Sequence, residues 1–271
     1  MNFQTLTSQI EHLGNSGIIL SPEQKALLEV SLPVLKNDEK LTNLQFWGKI
    51  RGVNSDYFIT KGFGNNYFGP KRYFYSQDCL SWGILNPPDK EMVKKSKLVH
   101  EMLTGDPTFV SESKVFTQPD EQETEEIMVT MKEEDRLACV IQRIEKDVFI
   151  VPRKAFIKLS NGDVIPNRSF EGLEASEACQ FYNFMHFRKE RMHSKVFNRP
   201  DIEKSIDFMD TIEDDIPKGS WSLQMENGET LVTLKSLLWL GLVFYHVVGT
   251  KQFGCSYFGY GDYNIDLPFM L

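Results

Sequence analysis

The chain opens with apolar residues at helical spacing: Phe3, Leu6, Ile10 and Leu13 recur every three or four positions and predict a short amphipathic helix. Ser21-Pro22-Glu23-Gln24 then carries the chemistry of a helix start. Ser21 can accept from a free backbone N–H, Pro22 suits the first helical position, and Gln24 can bond back to the cap. Ala26, Leu27, Val30 and Val34 supply the expected buried stripe. Pro33, which has no N–H to donate, is expected to kink or end that helix. The period then changes to two. LQFWGKIRGV (44–53) and DYFITKGF (56–63) read as strands joined through Asn54-Ser55, and KRYFYS (71–76) reads as a third. A helix is expected from about Asp89 to Leu103, where Met92, Val99 and Leu103 share a side.

Residues 105–135 differ in character: QPDEQETEE and KEEDR concentrate acid around one short strand candidate, IMVTM (127–131). The segment is expected as an acidic loop insertion with an exposed edge, the alternative being an acidic contact for a basic partner. RLACVIQRI (136–144) and DVFIVP (147–152) read as strands joined by a Glu-Lys-Asp turn. AFIKL (155–159) runs into Asn161-Gly162, a strong hairpin signal. FEGLEASEACQFYNFMHF (170–187) suggests a helix with Leu173, Ala178, Phe181 and Met185 on its apolar side. RPDIEKSIDFMDTIEDDIP (199–217) suggests a short polar helix ended before Pro217. Trp221, Leu223 and Met225 alternate with Ser222, Gln224 and Glu226 ahead of Asn227-Gly228, the pattern of a half-buried strand entering a hairpin.

LLWLGLVFYHVV (237–248) is the longest apolar run. A spanning helix needs about 20 apolar residues, and Lys235 and Thr233 stop the run short of that. Fully extended, twelve residues would reach about 40 Å, too long for one ordinary strand. A buried strand pair bent at Gly241 is therefore expected, with no membrane insertion. Together these elements define an α+β fold: an antiparallel β-sheet built from hairpins, with helices at the N-terminus and between strand groups. The expected organisation is an N-terminal helical segment, 1–43, followed by an α+β unit, 44–271.

The net charge of −8 over 271 residues repels phosphate backbones, which argues against nucleic acid as a main partner. Cys79, Cys139, Cys179 and Cys255 form no CxxC pair and fit reduced, mostly buried thiols in a cytosolic compartment. The start, MNFQTLTSQIEHLG, lacks the basic and apolar regions of a secretory signal. Several stretches imitate catalytic or ligand motifs and fail. GFGNNYFGPKR (62–72) has Pro70 where a phosphate loop needs Gly-Lys-Ser/Thr entering a helix, so a glycine-rich turn is expected. Asp262, Asn264 and Asp266 have the spacing of a calcium loop, but Leu267 stands where its glycine belongs, and these side chains are expected to bond within the tail's turns. GCSYF (254–258) lacks the second glycine of a nucleophile elbow. His186 and His193 have neither HExxH spacing nor a CxxC partner, and a partly exposed structural or surface role is expected for both. No catalytic residue, cofactor site or metal site can be named.

FWGKIRG (46–52), SFEGLEASEA (169–178), SIDFMDTIEDDIPKGSWSLQ (205–224), LKSLLWLGLVFYH (234–246) and NIDLPFML (264–271) resemble the radial spoke head proteins of motile cilia and flagella. The similarity covers nearly the whole chain and is weakest in the first twenty residues and in 105–135. FWGKIRGVNSDYFI also resembles the 4/6-type head proteins. In one departure, the family's proline after the Trp of the apolar run is replaced by Leu240. The resemblance implies a non-enzymatic structural component of the axonemal radial spoke head. It implies assembly with the 4/6-type proteins and further head and neck subunits, and relay of central-pair signals to the dynein arms. Contact with the central pair itself would be indirect or transient. An enzyme or nucleotide-binding protein with an unrecognised site, or a general cytoplasmic adaptor, remains the alternative. Tyr257, Phe258, Tyr260, Tyr263, Phe269 and Leu271 lie on a glycine-rich tail expected to dock on a partner or to cover the protein's own sheet edge. Trp47, Trp221, Gly228, Trp239 and Gly241 are expected to serve the scaffold.

Overall fold

The computed structural model describes residues 1–99, 101–117, 125–191, 196, 199–200 and 203–270. Helix α1 (Leu6–Glu11) is followed by α2 (Pro22–Asp38). The expected capping box forms: Gln24 N donates to Ser21 Oγ and Ser21 N to Gln24 Oε1, each at 3.1 Å. Of the two outcomes expected at Pro33, the helix does not end there: α2 runs on to Asp38, and the carbonyl that loses its partner belongs to the exposed Glu29. Its buried side is also not the expected one. Leu28, Leu32 and Leu35 face the core while Val30 and Val34 face solvent. The helix has apolar residues on two sides, and contact with the sheet selected between them.

Strands β1 (Asn43–Ile50), β2 (Tyr57–Phe63), β3 (Lys71–Ser76) and β4 (Gly83–Leu85) form an antiparallel meander, as the period-two pattern indicated for the first three. The helix expected at 89–103 is confined to α3 (Lys90–Ser96). Beyond it the chain is drawn out by backbone bonds from Val53 N to Leu103 O and from Asn54 N to Thr104 O, both 2.8 Å. Where an acidic loop was expected, β5 (Val110–Thr117) and β6 (Glu125–Lys132) pair antiparallel. The acidic residues 118–124 lie outside the described residues.

The largest correction is α4 (Glu133–Val148), which replaces the strand expected at 136–144 and the turn after it. Leu137, Ile141, Ile144 and Val148 fall on one helical side, and Glu133, Glu134 and Asp135 place acid in the first turn, where the helix dipole favours it. Ala138, Cys139 and the charged Arg136 are buried as well, so the helix is enclosed on several sides. Its five consecutive apolar residues, 137–141, resemble a short core strand when read apart from Ile144 and Val148.

Short elements follow: β7 (Ile150–Pro152), β8 (Phe156–Lys158) and β9 (Val164–Pro166), the last two closing the expected hairpin at Asn161-Gly162. The helix expected in 170–187 reduces to α5 (Ala175–Ala178), and Met185 lies instead in β10 (Phe184–His186), paired with β7. The polar helix expected in 199–217 is absent among the described residues, where short 3-10 turns stand at Glu203–Ser205 and Ile212–Asp214. Asp207 and Asp210 there pair with arginines, and Thr211 Oγ1 caps the second turn by accepting from Glu213 N at 3.3 Å. The chain ends with a second meander, β11 (Trp221–Glu226), β12 (Leu231–Ser236), β13 (Leu242–Val247) and β14 (Phe253–Gly259), and with α6 (Leu267–Met270).

The two meanders join into one eight-stranded sheet, ordered β11-β12-β13-β14-β1-β2-β3-β4. The join is its one parallel pairing, β1 with β14, in which Gly48 faces Tyr257. A bulge between Phe46 and Gly48 re-aims β1 at this point. Gly48 has φ +151°, and a Cβ there would overlap the Tyr257 backbone, so only glycine fits. Both faces of the sheet are buried. Phe46, Phe58, Val243, Tyr245 and Phe258 meet the N-terminal helices, while Trp47, Tyr57, Phe244 and Tyr257 meet α4 and the 150–216 region. No helix among the described residues is long and apolar enough to cross a membrane.

Candidate interaction surface

Polar groups inside the molecule are used for bracing. Glu145, on α4, reaches back to the first meander: Lys61 Nζ lies 3.3 Å and Lys71 Nζ 2.5 Å from its Oε1, and Tyr73 Oη donates to Oε2 at 2.7 Å. Burial would raise the Glu145 pKa, but the two ammonium groups and the phenol overcome it and hold the carboxyl at about 2. Glu133 accepts from Tyr57 Oη at 2.8 Å and from the N–H groups of Thr104 and Gly105 at 2.7 Å, pinning the 104–105 loop to the sheet. A cleft of about 700 Å³ opens over Lys71, Tyr73 and Glu145. The Glu145 carboxylate at its base is already neutralised and hydrogen-bonded.

The histidines follow the same rule. His246, buried in β13, accepts from Leu173 N at Nε2 (3.0 Å) and its Nδ1 faces Gln252 O (3.1 Å), which fixes the tautomer with Nδ1 protonated. Burial pushes its pKa down despite these bonds. His186 is not the partly exposed histidine expected: it is buried, with Nε2 2.8 Å from an Asp215 oxygen. Asp215 also accepts from Trp221 Nε1 at 2.9 Å. The partner lies 29 residues further on, which no local pattern reveals. His193 lies outside the described residues.

The residues singled out from sequence separate into two groups. Trp47 stacks on Phe149 (5.6 Å between centroids) and contacts Tyr257 (5.5 Å) in the core. Trp239 is buried; its Nε1 donates to Asp147 at 3.2 Å, and Tyr263 packs edge-on at 5.4 Å. Trp221 opens β11, Gly228 takes φ +65° in the following loop, and Gly241 turns the chain into β13 with φ +106°. Tyr257 and Phe258 are interior residues of β14, a central strand, so this part of the tail covers no sheet edge and is inaccessible to a partner. Tyr260, Tyr263 and Phe269 are exposed, and Leu271 lies outside the described residues. The carboxamide of Asn264 donates to Leu237 O at 3.0 Å, so it ties the tail to the β12–β13 turn rather than, as expected, bonding within the tail's own turns.

Past β14 the tail presents an apolar surface held on a fixed base. Asn264 N bonds Leu238 O at 2.9 Å, Tyr263 bridges to Trp239, and Leu267 is buried. From this base project Ile265, Phe269 (88% exposed) and Met270 (71% exposed). Leu240 (58% exposed) stands on the turn that meets Gly259, at the start of the same tail. Beside them a cleft of about 720 Å³ between α3, α4 and the tail is lined by Val99, Leu103, Arg136, Arg143, Tyr263 and Ile265. Sequence reasoning singled out the tail's aromatics but missed Ile265 and Met270; alternation along NIDLPFML gave no sign of which residues a single turn of helix would expose.

The Glu133 and Glu145 carboxylates are engaged within the molecule, and an exposed apolar surface on an anchored base is what a subunit of a larger assembly presents. Comparison with known proteins agrees: residues 1–66 match the sequence profile of the family described as Radial spokehead-like protein. Over the full length of both chains the protein is 43% identical to the radial spoke head protein 9 homolog of Homo sapiens. It is likewise 40% identical to the homologs of Mus musculus and of Danio rerio, again over full length. The chain belongs to the radial spoke head protein 9 family, and its role is a structural one in the radial spoke head. That membership implies other radial spoke components as its partners and the axoneme of cilia or flagella as its place. The family is a structural one, not a family of enzymes.

Proposed function

We propose that this chain is a scaffold subunit that docks on 4/6-type head proteins through the exposed part of its tail, so supporting head assembly and the relay of central-pair signals to dynein. The observation that carries this reading is the exposure of Phe269, Met270 and Ile265 on a segment whose anchor, Leu267, is buried. A flexible tail would expose all four; a purely internal one would bury them. Docking would cover an apolar surface that otherwise faces water.

The two roles can be separated by substitution. Phe269→Asp with Met270→Asp removes only exposed side chains, and surface changes of that kind usually stay within about 0.5 kcal/mol. The purified variant is expected to melt within about 2 °C of the parent and to bind co-expressed 4/6-type head proteins about tenfold or more weakly. Leu267→Ala, in contrast, deletes a buried leucine and should cost about 2–4 kcal/mol of stability. Unchanged co-purification of the double aspartate variant with head proteins would show that the tail is not the docking segment.

A further inference from the structure

The two edges of the eight-stranded sheet are built differently. The β4 edge has three residues and is followed, after Asn86, by Pro87 and Pro88, which cannot donate to another strand. The β11 edge has six residues, Trp221–Glu226, with no proline, no lysine or arginine and an unbroken register against β12. Trp221 at its start is buried, but from Leu223 to Glu226 the strand is partly or fully exposed and carries neither proline nor lysine.

The ladder shows which backbone groups are open. Leu237 N donates to Ser220 O, so Ser220 and Leu237 form a hydrogen-bonded pair, and residues 222, 224 and 226 turn their N–H and C=O towards β12. The same alternation carried through β12 and β13 predicts the bonds from Val247 N to Gln252 O and from Phe258 N to Gly241 O, and both are present. Trp221, Leu223 and Met225 therefore point their backbone groups away from the sheet. Among the described residues no backbone or side-chain group bonds to them from outside.

The surroundings select the occupant. The single carboxylate within the strand, Glu226, is already bound by Asn15 Nδ2 at 2.8 Å and Thr233 Oγ1 at 2.9 Å. Along the chain, Glu229 follows the hairpin end, and Glu213, Asp214 and Asp215 precede the other end with one basic residue, Lys218, whose Nζ donates to Glu213 O. A second copy of this acidic chain would bring like charges together at both ends of a six-residue contact. We propose that the β11 edge receives an extended strand from another radial spoke head subunit. Apolar residues of that strand would continue the row of Trp221, Leu223 and Met225, and lysine or arginine would flank it. The inference rests on membership of the spoke head and is independent of the tail as a docking segment.

Hydrogen–deuterium exchange tests it on the purified full-length chain and on intact radial spoke heads under one set of conditions. The amides of Leu223 and Met225 are expected to exchange freely in the isolated chain and about tenfold or more slowly in the head. The amides of Ser222 and Gln224, which serve β12, should be protected in both. Equal exchange of the outward amides in both states would overturn the proposal. Protection already present in the isolated chain would also overturn it. If that protection fell on dilution it would assign the edge to a second copy, and if it did not, to this chain itself. Leu223→Pro removes an outward N–H without breaking a bond to β12, so it should fold yet enter heads about tenfold less well. Gln224→Lys, which adds an edge lysine at an exposed position, provides a second block should the proline variant not fold. Normal incorporation of the folded variants would count against an incoming strand.

Discussion

Glu145→Gln is expected to destabilise the purified chain by about 3–5 kcal/mol, a fall of roughly 10 °C in melting temperature. The substitution keeps shape but turns one accepting oxygen into a donor and removes the one negative charge that lies between Lys61 and Lys71. Lys71 is nearer the surface and can turn towards the cleft. Lys61 is buried in β2, and burial already pulls its pKa below 10.5 against the opposing pull of Glu145. Without that carboxylate, Lys61 has to fold as a neutral amine. Deprotonating a lysine of pKa 10.5 at pH 7 costs about 5 kcal/mol, which sets the ceiling of the effect. Lys61→Met combined with Glu145→Gln should recover most of the loss, since no unpaired buried charge then remains.

Two pH effects distinguish this account from simple loss of packing. The folded-state pKa of Glu145, about 2, lies below its ordinary 4.5, so its stabilisation is complete above pH 4.5 and is lost as pH falls towards 2. That part of the acid limb should be missing in Glu145→Gln. On the alkaline side, the unfolded variant gives up the Lys61 proton only as pH approaches 10.5, so its deficit should shrink as pH rises. A deficit that is constant from pH 5 to pH 9, measured by urea unfolding, would contradict the uncompensated lysine as its cause.

Gly241→Val should cost about 3–5 kcal/mol, while Leu240→Pro should be neutral or stabilising by about 0.4–1 kcal/mol. Leu242 N donates to Trp239 O at 3.2 Å across these two residues, which makes 239–242 a hydrogen-bonded turn. Gly241 has φ +106° and Leu240 is absent from the positive-φ residues, the combination of a type II turn. Its third position requires glycine. A Cβ there would also overlap the Phe258 carbonyl, whose strand is held by the 2.8 Å bond from Phe258 N to Gly241 O. The second position is the one proline favours, and Leu240, exposed and on the turn's outer side, presents no obstacle. The family's proline is thus explained by the turn, and its absence here leaves the bend to Gly241. Thermal melts of the two variants decide the matter; a Leu240→Pro variant melting well below Gly241→Val would contradict the turn assignment.

The features readable in the sequence were those fixed by neighbours along the chain. The Ser21–Gln24 cap, the hairpins at Asn161-Gly162 and Asn227-Gly228, and the bend at Gly241 each depend on a few adjacent residues whose conformational needs are specific. Helix α4 was misread because its five consecutive apolar residues, 137–141, have the look of a strand, although Leu137, Ile141, Ile144 and Val148 carry the helical period. The buried side of α2 was misread for a different reason: two apolar stripes were available. The tail's aromatics could not be sorted locally, because Tyr257 and Phe269 look alike until β14 is known to lie in the middle of a sheet.

By itself, then, the sequence determined the α+β class, the local turns and caps, and the kinship with spoke head proteins carried by FWGKIRG and DIPKGSWS. Tertiary structure alone decided that β1 and β14 pair across some two hundred residues, that Glu145 neutralises two lysines of the first meander, and that Phe269 and the β11 edge are left open. The division has one physical cause. Turn and cap energies are set by covalent neighbours, whereas burial and charge pairing depend on which distant segments the sheet brings together.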